Sequence, residues 1–204
     1  SRRDKVTEVR WGIADFKRRY GRDPEGFWLP ETAVDDETLD VLAQEGITFT
    51  ILAPYQVATR PPNGLPGRYT TSSGRTIALC TYHGDLSHGI AFGGLVRDAD
   101  HWAYEIMAVP ADVAEGGAAG TGGAPILVSM ATDGETYGHH HKFAEMALAR
   151  VFDVTAHQGV RVENYASFLA RHPATIDVEL VAPTAWSCAH GVERWRSNCG
   201  CRAD

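Results

Sequence analysis

Runs of β-branched and aliphatic residues recur along this chain with a helical pattern between them, and that alternation limits the fold more than any other feature. Ile47-Thr48-Phe49-Thr50-Ile51-Leu52 and Pro125-Ile126-Leu127-Val128-Ser129-Met130 are near-continuous apolar stretches bounded by turn residues, the pattern of strands covered on both faces. Gly26-Phe27-Trp28-Leu29, residues 76–82, residues 159–162 and residues 178–181 are further candidate strands. Val6, Val9, Ile13, Phe16 and Tyr20 recur at helical spacing and predict a helix stopped by Gly21. Asp35-Asp36-Glu37 opens a second helix, which Gly46 ends, and helical periodicity returns over residues 95–109, about 140–152 and 165–171. Residues 60–75 form a loop with a hairpin near Ser73-Gly74, residues after Tyr82 a polar turn, and the Gly/Ala-rich stretch 114–124 a flexible loop. Strands separated by helices define an α/β fold with a parallel sheet, either open and doubly wound or most of an α/β barrel.

The chain of 204 residues is read as one domain over 1–204. With 19 basic against 26 acidic residues it lacks the clustered cationic face that nucleic acid requires. Seven Phe, seven Tyr and five Trp need a core, which argues against disorder. No apolar run reaches the roughly 20 residues of a membrane span. No glycine-rich phosphate loop follows a strand, so no cofactor is expected. A cytoplasmic location is expected, with the four cysteines reduced. Cys188-x-His190-x8-Cys199-x-Cys201 offers donors suited to a soft metal, although zinc sites ordinarily space cysteines as Cys-x-x-Cys, so no metal is assigned here. The chain begins at Ser1, and no helix or strand closes Cys199 to Asp204, which reads as a piece of a longer protein.

Two acids emerge directly from apolar strands, Glu31 after Trp28-Leu29-Pro30 and Asp133 after Met130-Ala131-Thr132. An acid at such a place often caps the next helix. Here aromatic residues accompany both, and Trp28, Tyr137, Trp186 and Trp195 offer flat faces for a sugar ring. Paired carboxylates among aromatic platforms suit glycosidic-bond chemistry.

Those segments carry a family resemblance. Gly26-Phe27-Trp28-Leu29-Pro30-Glu31 resembles the nucleophile segment of glycoside hydrolase family 57, and Asp133-Gly134-Glu135-Thr136-Tyr137-Gly138-His139 its acid/base segment. Residues 82–92, around His83 and Leu86-Ser87, are similar to a third stretch of that family. Trp186-Ser187-Cys188-Ala189-His190-Gly191 with Trp195 stands where many members carry Trp-Gly-Glu-Gly-Gly, and this string resembles a bacterial subgroup with a further C-terminal region of unknown function.

The resemblance implies a (β/α)7-type barrel, incomplete here because the first strand is missing, and a retaining hydrolase or transglycosidase acting on α-glucans. It implies Glu31 as nucleophile and Asp133 as general acid/base, a pair that in retaining enzymes lies about 5–5.5 Å apart. Trp28, His83, Glu135, Tyr137, His139, Trp186 and Trp195 are then candidate substrate contacts. Two other readings stand beside it. Asp133 with His139, His140 and His141, or His83 and His88, could hold zinc as in metal-dependent deacetylases or amidohydrolases, although three consecutive histidines cannot all face one ion. Acids and aromatics without a complete barrel would also serve a non-catalytic carbohydrate-binding protein.

Overall fold

The computed structural model describes residues 1–113 and 125–201, and the loop expected over 114–124 lies outside the described residues. The chain divides into two compact units, one comprising Ser1–Pro61, Pro66–Thr81 and Tyr165–Asp204, the other Pro62–Leu65 and Tyr82–Asn164.

In the first unit, helix α1 (Arg2–Tyr20) ends where Gly21 adopts a φ of 68°, with Lys17, Arg18 and Arg19 in a last turn that favours positive charge. Its apolar stripe docks through Val6, Val9 and Ile13, while the Phe16 and Tyr20 rings meet at a tilt, 4.6 Å between centres, and Tyr20 stays exposed. Helix α2 (Asp36–Gln44) is capped by Asp35, whose carboxylate accepts the Thr38 N–H at 2.8 Å. Strands β1 (Gly26–Phe27), β2 (Phe49–Leu52), β3 (Gly67–Thr70) and β4 (Thr76–Thr81) form one sheet in the order β1-β2-β4-β3. β1, β2 and β4 run parallel, and β3 pairs antiparallel with β4 through the turn expected at Ser73-Gly74. The sheet is thus mixed rather than wholly parallel. Leu39, Leu42, Leu52, Ile77 and Leu79 are its buried centre, closed on one side by Val178. The short helix α6 (Tyr165–Arg171) falls where the periodicity placed it.

The second unit is built on α3 (Gly84–Ala91), α4 (Ala99–Val113) and α5 (Ala144–His157), packed around Ile90, Trp102, Ala103 and Val151. Four sequence expectations are corrected by the structure. The turn expected after Tyr82 is helix α3, nucleated by the His83 ring, whose Nδ1 accepts the Leu86 N–H at 3.3 Å. Residues 125–130 form no strand. The Leu127 N–H donates to the Asn63 carbonyl (2.9 Å) and the Ser129 carbonyl accepts from the His83 N–H (2.7 Å), without a continuous ladder. Residues 178–181 likewise make only isolated bridges, Val57 with Leu180 among them, and residues 159–162 form no strand among the described residues. An apolar run becomes a strand only where a neighbouring backbone offers matching donors and acceptors.

One buried carboxylate ties the first unit together. Asp40, on α2, accepts from Arg2 of α1 (2.6 Å), from Arg75 (2.9 Å) and Thr71 (3.1 Å) at the β3–β4 turn, and from the Ser73 hydroxyl. The Ser73 hydroxyl, with the two guanidinium groups, holds its carboxyl far below the ordinary value of 3.8 despite burial. A depressed folded-state value stabilises the fold above the unfolded value, and that contribution is lost as acid protonates the group. Asp40→Ala is therefore expected to cost about 1–3 kcal/mol at neutral pH. In urea unfolding the gap between wild type and variant should narrow as the pH falls below the ordinary aspartate range.

Candidate active site

β1 delivers Glu31 through Trp28-Leu29-Pro30, and the loop that carries it has an unusual backbone. Glu31 (φ 54°) and Thr32 (φ 48°) are consecutive non-glycine residues in the left-handed region. Each costs on the order of 1–3 kcal/mol and persists only where its surroundings hold it. The holding group is Gln56, fully buried after β2. Its amide Nε2 donates to the Thr32 carbonyl (2.8 Å) and to Thr184 Oγ1 (3.0 Å), and its Oε1 accepts the Ala53 N–H (2.8 Å). From the other side the Trp186 N–H donates to both the Glu31 carbonyl and Thr32 Oγ1, each at 3.1 Å. Val34 and Thr184 exchange two backbone hydrogen bonds (2.8 and 3.1 Å), which bring residues 184–186 alongside the loop.

Glu31 does not cap a helix, since Asp35 does that for α2. Its Oε2 accepts the Trp186 indole Nε1–H at 2.9 Å, while Trp186 meets Trp28 edge to face at 5.3 Å between ring centres. The Tyr55 hydroxyl donates to the Trp186 carbonyl at 2.8 Å and fixes that residue's backbone. The nearby Ser187 hydroxyl, the indole N–H and, at longer range, the Arg194 guanidinium hold the Glu31 carboxyl below its ordinary range against a slight opposing effect of burial. Ser187 Oγ is buried and meets no partner in strict hydrogen-bond geometry among the described residues, so it acts on Glu31 as an adjacent donor rather than a fixed bond. Glu31 is exposed, and a low value keeps it ionised. Trp195 is half exposed, with the Arg194 guanidinium 5.6 Å from its ring centre.

The remaining candidates belong to the second unit. Asp133 is exposed and precedes a 3-10 turn, Gly134–Thr136, yet its side chain caps nothing there. Glu135 and His139 are also exposed, and the Glu135 carbonyl accepts the His139 and His140 N–H groups (3.2 and 2.9 Å). Tyr137 is partly buried, stacked on Trp102 with its hydroxyl 2.9 Å from Thr132 Oγ1. His83 spends its Nδ1 on the cap of α3. The zinc-hydrolase constellation does not assemble: His141 Nε2 lies 2.9 Å from the Ala91 carbonyl. Among the described residues the one group of three or more potential ligands in mutual reach is Cys188, His190, Cys199 and Cys201. Sequence reasoning missed Gln56, Thr32, Tyr55, Ser187 and Arg194. Thr32, adjoining the candidate nucleophile, and Ser187, inside the quoted Trp-Ser-Cys string, were the two within reach of motif analysis.

The family model for glycosyl hydrolase family 57 matches residues 1–178, and the chain belongs to that family. Its fold is shared by the GH57-type branching enzyme of Pyrococcus horikoshii, at 17% identity and a TM-score of 0.70 over 93% of this chain and 45% of that one. An exo-type maltose-forming amylase of Pyrococcus sp. ST04 gives 15% identity and a TM-score of 0.72 over 96% of this chain and 36% of that one. The 4-alpha-glucanotransferase of Thermococcus litoralis gives 16% and 0.65 over 92% of this chain and 26% of that one. The chain therefore spans between about a quarter and a half of these structures' lengths. No protein of curated function matches by sequence.

Two outcomes follow from this geometry. Gln56→Ala leaves the Thr32 carbonyl and the Ala53 N–H buried without their partner, and should lower stability by about 1–3 kcal/mol for each in thermal unfolding. Trp186→Phe keeps a ring against Trp28 but deletes the indole donor, so the Glu31 carboxyl rises toward its ordinary 4.5. In the full-length protein the acid limb of the kcat/KM profile should move to higher pH, with the neutral-pH plateau less affected.

Proposed function

We propose that the protein of which this chain is part is a retaining glycoside hydrolase or transglycosidase acting on α-glucans, with Glu31 as nucleophile and Asp133 as general acid/base. The observation that carries this reading is an exposed, ionised carboxylate held in a strained strand-end loop by a tryptophan N–H, in a chain belonging to glycosyl hydrolase family 57. With Oε2 engaged by the indole, Oε1 attacks the anomeric carbon while Asp133 gives its proton to the departing glycosidic oxygen. The bond from anomeric carbon to leaving oxygen breaks as the ester to Glu31 forms. Asp133, now a carboxylate, then takes a proton from water or from a sugar hydroxyl that attacks the same carbon from the other face, as the ester bond breaks and returns Glu31 as a carboxylate. Two inversions retain the anomeric configuration.

Other residues fit supporting roles. Trp28 and Trp186, set edge to face at 66° beside Glu31, form a corner for a sugar ring, and Trp195 is a further exposed platform. Glu135 and His139, exposed near Asp133 in the sequence, would hydrogen-bond sugar hydroxyls, as would His83 through Nε2 and Tyr137 through the hydroxyl it shares with Thr132. The mixed α/β sheet is read as part of a (β/α)7-type barrel in one catalytic domain. A cytoplasmic location is the one proposed, and no helix among the described residues is long and apolar enough to cross a membrane. The related structures named in the preceding section are a glucanotransferase, a branching enzyme and an amylase, which supports an α-glucan substrate.

In the full-length protein, Asp133→Asn should lower kcat on an α-glucan by about 10²–10⁴-fold, the range expected for loss of a general acid. Glu31→Gln should abolish formation of the covalent intermediate altogether. NMR of the first-formed product should show the α-anomer. A β-anomer, or turnover surviving both substitutions, would overturn the assignment, as would oligosaccharide binding with no turnover on a panel of glucans.

A further inference from the structure

The segment after Trp186 has little to hold it. From residue 186 to 201 the only regular element is the 3-10 turn Glu193–Trp195, and Cys188 is the only buried residue. Yet four side chains from this segment converge. The Cys188 Sγ, one ring nitrogen of His190, the Cys199 Sγ and the Cys201 Sγ all lie within 4.8 Å of one another. Cys188 Sγ is 3.8 Å from Cys199 Sγ, and Cys201 Sγ is 3.3 Å from His190 Nδ1. Around a tetrahedral zinc with Zn–S near 2.3 Å and Zn–N near 2.0–2.1 Å, sulfur atoms stand about 3.8 Å apart and sulfur and nitrogen about 3.5 Å. The Cys188–Cys199 and Cys201–His190 separations fit that shell, and the four donors stand close enough together to reach one ion.

The unusual spacing has a structural answer. In an extended chain, residues two apart carry side chains on the same face but too far apart to share an ion comfortably. Gly200 takes a φ of 82° between Cys199 and Cys201, and Gly191 one of 78° just after His190, so the chain doubles back at both places. A Cβ at Gly191 would lie 2.7 Å from the Pro183 carbonyl oxygen, so that turn is reserved for glycine. A Cys188–Cys199 disulfide would use two of the donors and leave the approach of Cys201 to His190 without purpose. Four donors this closely set suit one ion rather than a cluster.

We propose that Cys188, His190, Cys199 and Cys201 form a structural zinc site of the three-cysteine, one-histidine type. The ion binds Cys188, Cys199 and Cys201 as thiolates, their protons passing to solvent, and His190 through Nδ1 as neutral imidazole. All four positions are filled by protein, so no open position remains for water or substrate, and the role is to staple the segment. Cys188 follows Trp186 and Ser187 directly, and Arg194 Nη1 donates to the Ser187 carbonyl at 3.0 Å. The staple thus fixes the stretch that presents the indole N–H to Glu31.

The test is metal analysis of the full-length protein, purified under reducing conditions without chelator and reconstituted with zinc sulfate. Wild type should retain about one zinc per chain through gel filtration, as a closed structural site does. Cys80→Ala, which removes the buried thiol of β4, should keep the metal. Cys188→Ser with Cys201→Ser should lose it. Because those variants could fail to fold, wild-type protein loaded with cobalt(II) supplies a second reading, with the intense thiolate-to-cobalt absorption of a tetrahedral, sulfur-rich site expected. Wild type that holds no zinc after reconstitution overturns the proposal. So does a folded double variant that retains it, or an intact-mass spectrum showing a Cys188–Cys199 disulfide in metal-free protein. None of these outcomes depends on glycosidase activity.

Discussion

The buried amide of Gln56 is the interaction on which the rest of the candidate nucleophile site depends. A fully buried carboxamide costs several kcal/mol unless its donors and acceptor are satisfied. Here it makes three hydrogen bonds, two from its NH2 group and one to its carbonyl oxygen. Those bonds join the end of β2 to the Thr32 carbonyl and to Thr184, so one side chain fixes the strand end, the left-handed loop and the segment that leads to Trp186. The conformational cost of Glu31 and Thr32 is thereby borne by packing elsewhere in the first unit, a common arrangement at reactive loops.

The electrostatics follow from that placement. An exposed glutamate surrounded by donors loses its proton easily, and Glu31 has an indole N–H, a neighbouring hydroxyl and a more distant guanidinium on its side. Asp133 differs in kind. It stands in an exposed turn, and its side chain caps no backbone N–H of the 3-10 turn that follows. Two acids that look alike in sequence therefore stand in different surroundings, one ringed by donors and one that caps none in the turn after it.

Much of the fold was legible because it rests on local signals. The stop at Gly21, the acidic start of α2 at Asp35-Asp36-Glu37, the hairpin at Ser73-Gly74 and helix α6 each depend on residues close together in the chain. What was missed depends on distant partners. Residues 125–130 form an apolar run like that of β2, but no neighbouring strand among the described residues completes a ladder with them. Helix α3 was read as a turn because Gly84, Asp85, Ser87, His88 and Gly89 are poor helix formers, and its start relies on an imidazole acting as a cap. Gln56 carries no motif at all. Its role exists only because Thr32, Ala53 and Thr184 meet it in space, whereas Glu31 and Asp133 could be picked out from the type of residue that precedes each.

Gly26 carries a different kind of constraint. The Phe49 ring of the adjacent strand sits where a methyl group at position 26 would be, 2.2 Å from an ideal Cβ. Position 26 is only partly buried, so a survey of surface tolerance would expect it to accept many residues. The intolerance it must display arises from the occupant across the strand pair rather than from any chemistry of its own. An invariant glycine here would consequently report the fit of an aromatic ring against a bare backbone, five positions ahead of the acid it could be mistaken for serving.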